Sequence, residues 1–208
     1  MIALRTLVRA AAVGAIAVAL AGCISLFPKQ DPANLFRFGF AAPPERATSN
    51  IQRFGVLNSV LTFDRAAASD RILTVNGNEA AYIKGSRWVT SASALFDEAV
   101  TRSFGTSSGP ARLIGRGEVV RAEYVLKLDV RTFEARYTNG AGSAPTVVVS
   151  LHAALDRTDD RTVLGDKTFE ASAQASDNRV GAIATAFDQA VTKVLGELVN
   201  WVDARGAG

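Results

Sequence analysis

Apolar and polar positions alternate along the chain in a few distinct patterns. Residues 10–20 are apolar throughout and follow Arg5 and Arg9. Residues 24–34 hold Pro28, Pro32, Lys29, Gln30 and Asp31 without apolar periodicity, which predicts a tether. Residues 35–41 alternate weakly and are rich in Phe, predicting a first strand, and residues 42–50, with Pro43 and Pro44, a loop. Across residues 51–63 both parities are apolar, with Phe54, Val56 and Val60 on one and Leu57, Leu61 and Phe63 on the other. That pattern predicts a strand covered on both faces, or one bulged at Gly55. Residues 71–75 and 80–83 flank Asn76-Gly77-Asn78, a hairpin signal because the turn favours positive φ.

Trp88, Ala92, Leu95, Phe96, Ala99, Val100 and Phe104 recur every three or four residues, which predicts an amphipathic helix over 88–104. Thr90 or Ser91 can cap it, Gly105 can end it, and Gly109-Pro110 prevents its resumption. A short strand is expected within 111–119 and long ones over 120–137, 146–155 and 161–173, joined by the polar turns 138–144 and 156–160. Tyr124, Leu126, Leu128 and Val130 share one parity, and Lys127, Asp129 and Arg131 the other, so one face is buried and one is wet. Val147, Val149, Leu151, Ala153 and Leu155 point inward on the next strand. Finally, Val180, Ile183, Ala184, Phe187, Val191, Val194, Leu195, Leu198 and Val202 draw one helical stripe, with Ser176 or Asp177 as cap and an end near Trp201. The expected fold is α+β: a two-layer sandwich of a mostly antiparallel β-meander with two long amphipathic helices packed on one face.

The opening run ends Leu20-Ala21-Gly22-Cys23. Basic residues, a short apolar run and small residues before a break are the layout of a secretory signal peptide. The run is too short for the roughly 20 residues that span a bilayer. Leu-Ala-Gly-Cys resembles the lipobox of bacterial lipoproteins, which implies cleavage before Cys23 and lipid attachment to its sulfur. At about 0.8 kcal/mol per buried methylene, two or more acyl chains hold a protein on a membrane stably. The expected organisation is a signal peptide over 1–22, a lipidated N-terminus and tether over 23–34, one domain over 35–203 and a disordered tail over 204–208. Ten or so tether residues reach at most about 35 Å.

Charge and chemistry narrow the function. Of the chain's 208 residues, 23 are Lys or Arg and 20 are Asp or Glu; without Arg5 and Arg9 the net charge falls from +3 to +1. No basic run supports a nucleic-acid partner. Cys23 is the only cysteine, so no internal disulfide forms. His152 is the only histidine and lies on the outward parity of its strand, without the cysteine or histidine companions of a metal site. No serine stands in Gly-x-Ser-x-Gly, and Asp156, Asp159 and Asp160 shape a turn. No cofactor is expected beyond the covalent lipid on Cys23, and no catalysis.

Tyr82, Lys84, Gly85, Ser86, Arg87 and Trp88 stand directly before the first helix, which carries Leu95 and Phe96. The last helix reads Ala186-Phe187-Asp188-Gln189-Ala190, then Leu195 and Trp201. These residues resemble the ABC-type transport auxiliary lipoprotein family, over roughly residues 35–202. The resemblance implies an accessory subunit that works by protein contact with a mammalian-cell-entry (MCE) protein and an ABC permease and ATPase in lipid transport or solvent tolerance. It also implies a homo-oligomer as one arrangement. Ile24 after Cys23 points to the periplasmic face of the outer membrane over the inner one. Tyr82, Arg87, Trp88 and Trp201 are candidates for a partner surface, since aromatic and Arg residues dominate such surfaces; the competing expectation is that Trp88 begins the buried stripe and Trp201 borders the core. An alternative function is carriage of an apolar ligand between helices and sheet.

Overall fold

The computed structural model describes residues 32–40, 52–115 and 117–207. Cys23, the leader, most of the tether and the loop expected over 42–50 lie outside them. In chain order the elements are β1 (Asn34–Phe36), β2 (Phe54–Asn58), β3 (Thr62–Phe63), β4 (Arg71–Asn76), β5 (Glu79–Trp88), α1 (Ala92–Thr106), β6 (Ala111–Ile114), β7 (Tyr124–Arg136), β8 (Thr146–Arg157), β9 (Val163–Gln174) and α2 (Val180–Gly206).

The sheet is built around β7. On one side lie β8 and β9, forming the antiparallel meander that the alternating pattern predicts. On the other side three short strands lie end to end, each parallel to β7: Val56 of β2 opposite Tyr124, Thr62 of β3 opposite Asp129, and Thr74 of β4 opposite Ala135. β6 extends β2, β5 pairs antiparallel with β4, and β1 runs beside the end of β5. Parallel pairings among strands this short leave little periodic signal, so the sequence pattern shows the meander and not this second flank.

Inward residues of β8, from Val147 to Leu155 at alternate positions, are fully buried. On β7 the buried set begins with Leu126, Leu128 and Val130 and then changes parity to Phe133 and Ala135. A register shift between Val130 and Thr132 inserts Arg131 as an extra residue, and one extra residue turns the following side chains to the opposite face. The bulge is what brings Phe133 inside.

Both helices cover the same face and touch each other. α1 buries Ala92, Leu95, Phe96, Ala99, Val100 and Phe104, the stripe expected for it. α2 buries the long stripe from Ile183 to Val202. Between helices and sheet an aromatic cluster fills the layer. The Phe133 ring lies 4.7 Å from Phe187, 5.1 Å from Phe38 and 5.4 Å from Phe63, and Trp88 lies 4.9 Å from Phe38 and 5.2 Å from Phe187. The edge-to-face pairs among them, Phe133–Phe63, Trp88–Phe38 and Trp88–Phe187, add to the burial of each ring. Among the described residues these rings are buried between helices and sheet, Phe63 in part.

Several boundaries differ from expectation, each for a tertiary reason. Residues 54–63 form two strands, β2 and β3, with residues 59–61 between them; Leu57 and Val60 are exposed, not covered on both faces. The first helix starts at Ala92. Trp88 stays extended because its N–H bonds the Asp70 carbonyl at 2.7 Å and it pairs with Phe36, and the Ser91 hydroxyl caps the helix through the Ala94 N–H at 3.2 Å. β7 starts at Tyr124, leaving Val119 and Val120 exposed. α2 has neither Ser176 nor Asp177 as its cap: Arg179 is the N-cap residue, and the Asp177 carboxylate accepts its N–H at 2.7 Å.

α2 also continues through Gly206, past its expected end and into the expected tail. Val202 is buried, the Tyr124 hydroxyl donates to the Gly206 carbonyl at 3.0 Å, and the Asp203 carboxylate accepts the Ala111 N–H at 2.9 Å. These contacts tie the last turn to β6 and β7.

Replacing Phe133 by Ala empties the centre of the aromatic cluster. It is expected to cost about 3–5 kcal/mol, read as a lower urea midpoint at unchanged slope. A second expectation concerns pH. Burial pushes the Asp203 carboxyl above its ordinary value of 3.8, against the opposing pull of the Ala111 N–H. A carboxyl raised on folding favours the fold only while protonated. Its contribution is complete below the unfolded value and is lost as pH rises through the folded one. Asp203→Asn keeps an acceptor for Ala111, so it is expected to be at least as stable as wild type near neutrality, with the difference vanishing near pH 3. Urea midpoints at the two pH values check this.

Candidate functional site

The Tyr-to-Trp segment ahead of α1 is a wide bulge. Leu73 opposes Tyr82, yet Arg71, two residues earlier, opposes Arg87, five residues later. Gly85 sits in the bulge at φ +68°, a left-handed conformation that side chains disfavour. Polar contacts fasten this bulge to the segment before β4. The Tyr82 hydroxyl donates to the Ala66 carbonyl at 2.9 Å, the Arg71 guanidinium lies 3.7 Å over the Tyr82 ring, and Arg87 pairs with Asp70 at 2.9 Å. The result aims Trp88 inward, where only 2% of it is exposed.

The four candidates for a partner surface are therefore not assembled into one. Trp88 is a core residue and presents nothing to a partner. Tyr82 and Arg87 lie together on β5 around Arg71. Trp201 is half-buried on α2 with its ring 5.8 Å from Phe169 of β9, and β4, β7 and β8 lie between β5 and β9. His152 is half-buried on the outer face, in register with Asp129 and Thr168. Among the described residues no group of His, Cys, Asp and Glu is arranged to hold a metal ion.

A concavity lies elsewhere. A groove of about 1080 Å³ runs between α1, β6 and the link from β2 to β3. Its α1 wall is the face next to the buried stripe: Ala94, Asp97, Thr101 and Gly105, at spacings of three and four. Small residues at 94, 101 and 105 keep this wall low. The opposite wall carries Leu57, 45% exposed, and Val60, 87% exposed. Between them the Asn58 amide donates to the Asp97 carboxylate at 3.1 Å, while Asn58 Oδ1 is buried without a hydrogen-bond partner. Arg112 and Glu118 at the rim pair with each other at 2.6 Å. An open groove with an apolar wall offers a surface for binding.

This groove escaped the sequence reading because Leu57 and Val60 looked like inward strand residues. The available signal was the run of small and polar residues beside the α1 stripe, which marks a helix face that packs against nothing large.

Comparison with known proteins now bears on the whole domain. The family model described as ABC-type transport auxiliary lipoprotein component matches residues 41–199. The chain belongs to this family. Protein XCC0632 from Xanthomonas campestris, a solved structure assigned to the family model DUF330, is similar at 27% identity, covering 84% of this chain and 97% of that one with a TM-score of 0.72. The hypothetical protein CT253 from Chlamydia trachomatis shares the fold at 13% identity, 74% and 97% coverage and a TM-score of 0.53. No curated protein matches.

Family membership makes this chain an auxiliary lipoprotein of ABC-type transport, a membrane-anchored component of the cell envelope. Among its described residues no helix is long and apolar enough to cross a membrane. The Tyr-to-Trp landmark of the auxiliary lipoprotein thus works here as a structural clasp. Two substitutions separate its parts. Trp88→Ala is expected to lower stability by about 3–5 kcal/mol. Arg87→Ala, which breaks an exposed ion pair, is expected to cost at most about 1 kcal/mol. Urea unfolding of both variants distinguishes a buried anchor from a docking residue.

Proposed function

We propose that this auxiliary lipoprotein is a lipid-anchored periplasmic accessory subunit of an ABC transport system of the MCE type, and that it works by protein contact without catalysis. The carrying observation is the filled interior. Phe38, Phe63, Trp88, Phe96, Phe133 and Phe187 occupy the layer where a cargo lipid would have to sit. A domain with a packed interior handles partners through its surface. Acylation of Cys23 is the attachment, and Ile24 supports the outer membrane as its destination. The MCE-domain protein, the permease and the ATPase are the partners in this reading.

The test is purification of the full-length protein from native membranes in mild detergent. Co-purification of the MCE protein or the permease and ATPase is expected, together with a mass for the N-terminal peptide that includes acyl chains on Cys23. Cys23→Ser is expected to move nearly all of the protein out of the membrane fraction, since the tether offers no other anchor of comparable strength. A protein that is acylated but never travels with a transport subunit, or that carries stoichiometric lipid inside its domain by native mass spectrometry, would overturn the reading.

A further inference from the structure

We propose that the outer face of the sheet at β1, where the tether joins the domain, rests on the headgroup surface of the membrane that holds the lipid anchor. Leu35 and Val89 enter the interface, and Arg37 meets lipid phosphates. This rests on the lipid-anchor part of the proposed function and adds to it the face that the domain turns to the bilayer.

The backbone register assembles the surface. Among the described residues β1 ends the sheet and pairs with β5 alone. Leu35 stands opposite Arg87, and the next pair, Phe36 and Trp88, packs into the core. Successive side chains of a strand point to opposite faces, so Leu35 and Arg87 turn outward together. The Val89 N–H bonds the Phe36 carbonyl at 2.8 Å, which carries the pairing one residue further and brings Val89 beside Arg37. Leu35 is 61% exposed and Val89 49%. Arg37 is exposed, with its guanidinium 4.4 Å over the Phe40 ring. Aliphatic and guanidinium groups thus alternate across neighbouring strands. Bilayer interfaces take up this combination, the aliphatic groups at the acyl boundary and the cations at the phosphates.

The local charge is positive. Arg71 lies opposite Arg87, and Lys84 is exposed three residues before it. Asp70 compensates Arg87 at 2.9 Å, whereas Arg37, Arg71 and Lys84 form no ion pair among the described residues. Neighbouring charges do not cancel this excess. Glu134 and Arg136 of β7 pair with each other at 2.6 Å, and Asp64 is followed by Arg65. Arg102, Glu98 and Asp188 belong to the helices, which cover the opposite face.

Position along the chain selects the bilayer as the occupant. Leu35 lies 12 residues beyond Cys23. An extended chain of that length keeps the patch within about 40 Å of the anchored sulfur. Two aliphatic side chains and a few cations hold a free protein weakly, but a short tether makes their binding intramolecular and raises the effective concentration of the surface. The patch therefore orients the domain, and the acyl chains retain it.

The experiment uses the full-length acylated protein, without transport subunits, in vesicles of phosphatidylethanolamine and phosphatidylglycerol. Acylation occupies Cys23, so an introduced cysteine carries the only free thiol. A nitroxide on Val89→Cys is expected to be relaxed more by lipid-soluble oxygen than by a water-soluble nickel chelate. A nitroxide on Gln189→Cys, at an exposed position of α2, is expected to show the reverse. Arg37→Gln and Lys84→Gln are each expected to lower the ratio of docked to undocked protein at position 89 about fivefold, the factor one basic residue contributes at an anionic surface. Arg37→Lys is expected to retain most of it, and phosphatidylcholine in place of phosphatidylglycerol to lower it. Should Val89→Cys unfold at lower urea, the same label on Leu35→Cys decides. A label at 89 that the chelate reaches freely while the protein stays on the vesicles would overturn this inference alone, as would equal behaviour at 89 and 189, or docking that both glutamine variants leave unchanged. A protein without acyl chains on Cys23 that leaves the vesicles would overturn it together with the reading on which it rests.

Discussion

The burial of Phe133 at the centre of β7 is the constraint on which the rest of the domain depends. Its ring touches the ring of Phe187 on α2, of Phe63 on β3 and of Phe38 after β1, and it lies 6.3 Å from the rings of Phe96 on α1 and Trp88 on β5. One side chain thereby joins both helices to strands from every part of the chain. Close packing of this kind transmits volume changes, so the helices and the short strands hold one another in place. Position 133 reaches the inside only because Arg131 bulges out of β7. A backbone irregularity of one residue thus underlies the core.

The same constraint divides labour within the fold. Aromatic residues that would otherwise form a sticky surface are consumed inside. The conspicuous Tyr82-to-Trp88 segment is spent on holding Trp88 in the cluster, through the Tyr82–Ala66 hydrogen bond and the Arg87–Asp70 pair. What is left outside is the groove, where α1 turns a face of small and polar residues away from the core. An inert interior with a receptive flank suits a component that is anchored and engaged by neighbours, and agrees with an auxiliary role in transport.

Gly39 and Gly109 show how tightly the periphery is joined. A Cβ at Gly39, which has φ +74°, would lie 2.5 Å from that of Ala99, and a Cβ at Gly109 would lie 1.9 Å from an Asp203 oxygen. The first contact presses the segment after β1 onto α1, and the second presses the turn before β6 onto α2. Segments distant in sequence are thus locked against the helices by close backbone approach.

The sequence by itself determined the elements whose periodicity is long. The stripes of α1 and α2, the alternation along β8 and the hairpin at Asn76-Gly77 follow from burial on one side of a regular element, and a regular element repeats its signal many times. The family, too, was legible from Tyr82, Arg87, Trp88 and Phe187. Only the tertiary structure decided the rest. β2, β3 and β4 are too short for a period to show, and their parallel pairing with β7 depends on residues far along the chain. Trp88 was expected to begin the buried stripe, with a partner surface as the competing reading, and the Asp70 carbonyl and the Phe38 and Phe187 rings that surround it place it in the core. Leu57 and Val60 have the composition of buried strand residues, yet both are exposed: Leu57 lies on an uncovered face of β2, and Val60 in the link between β2 and β3. Exposure is a property of what fails to pack against a residue, and no local pattern records an absent neighbour.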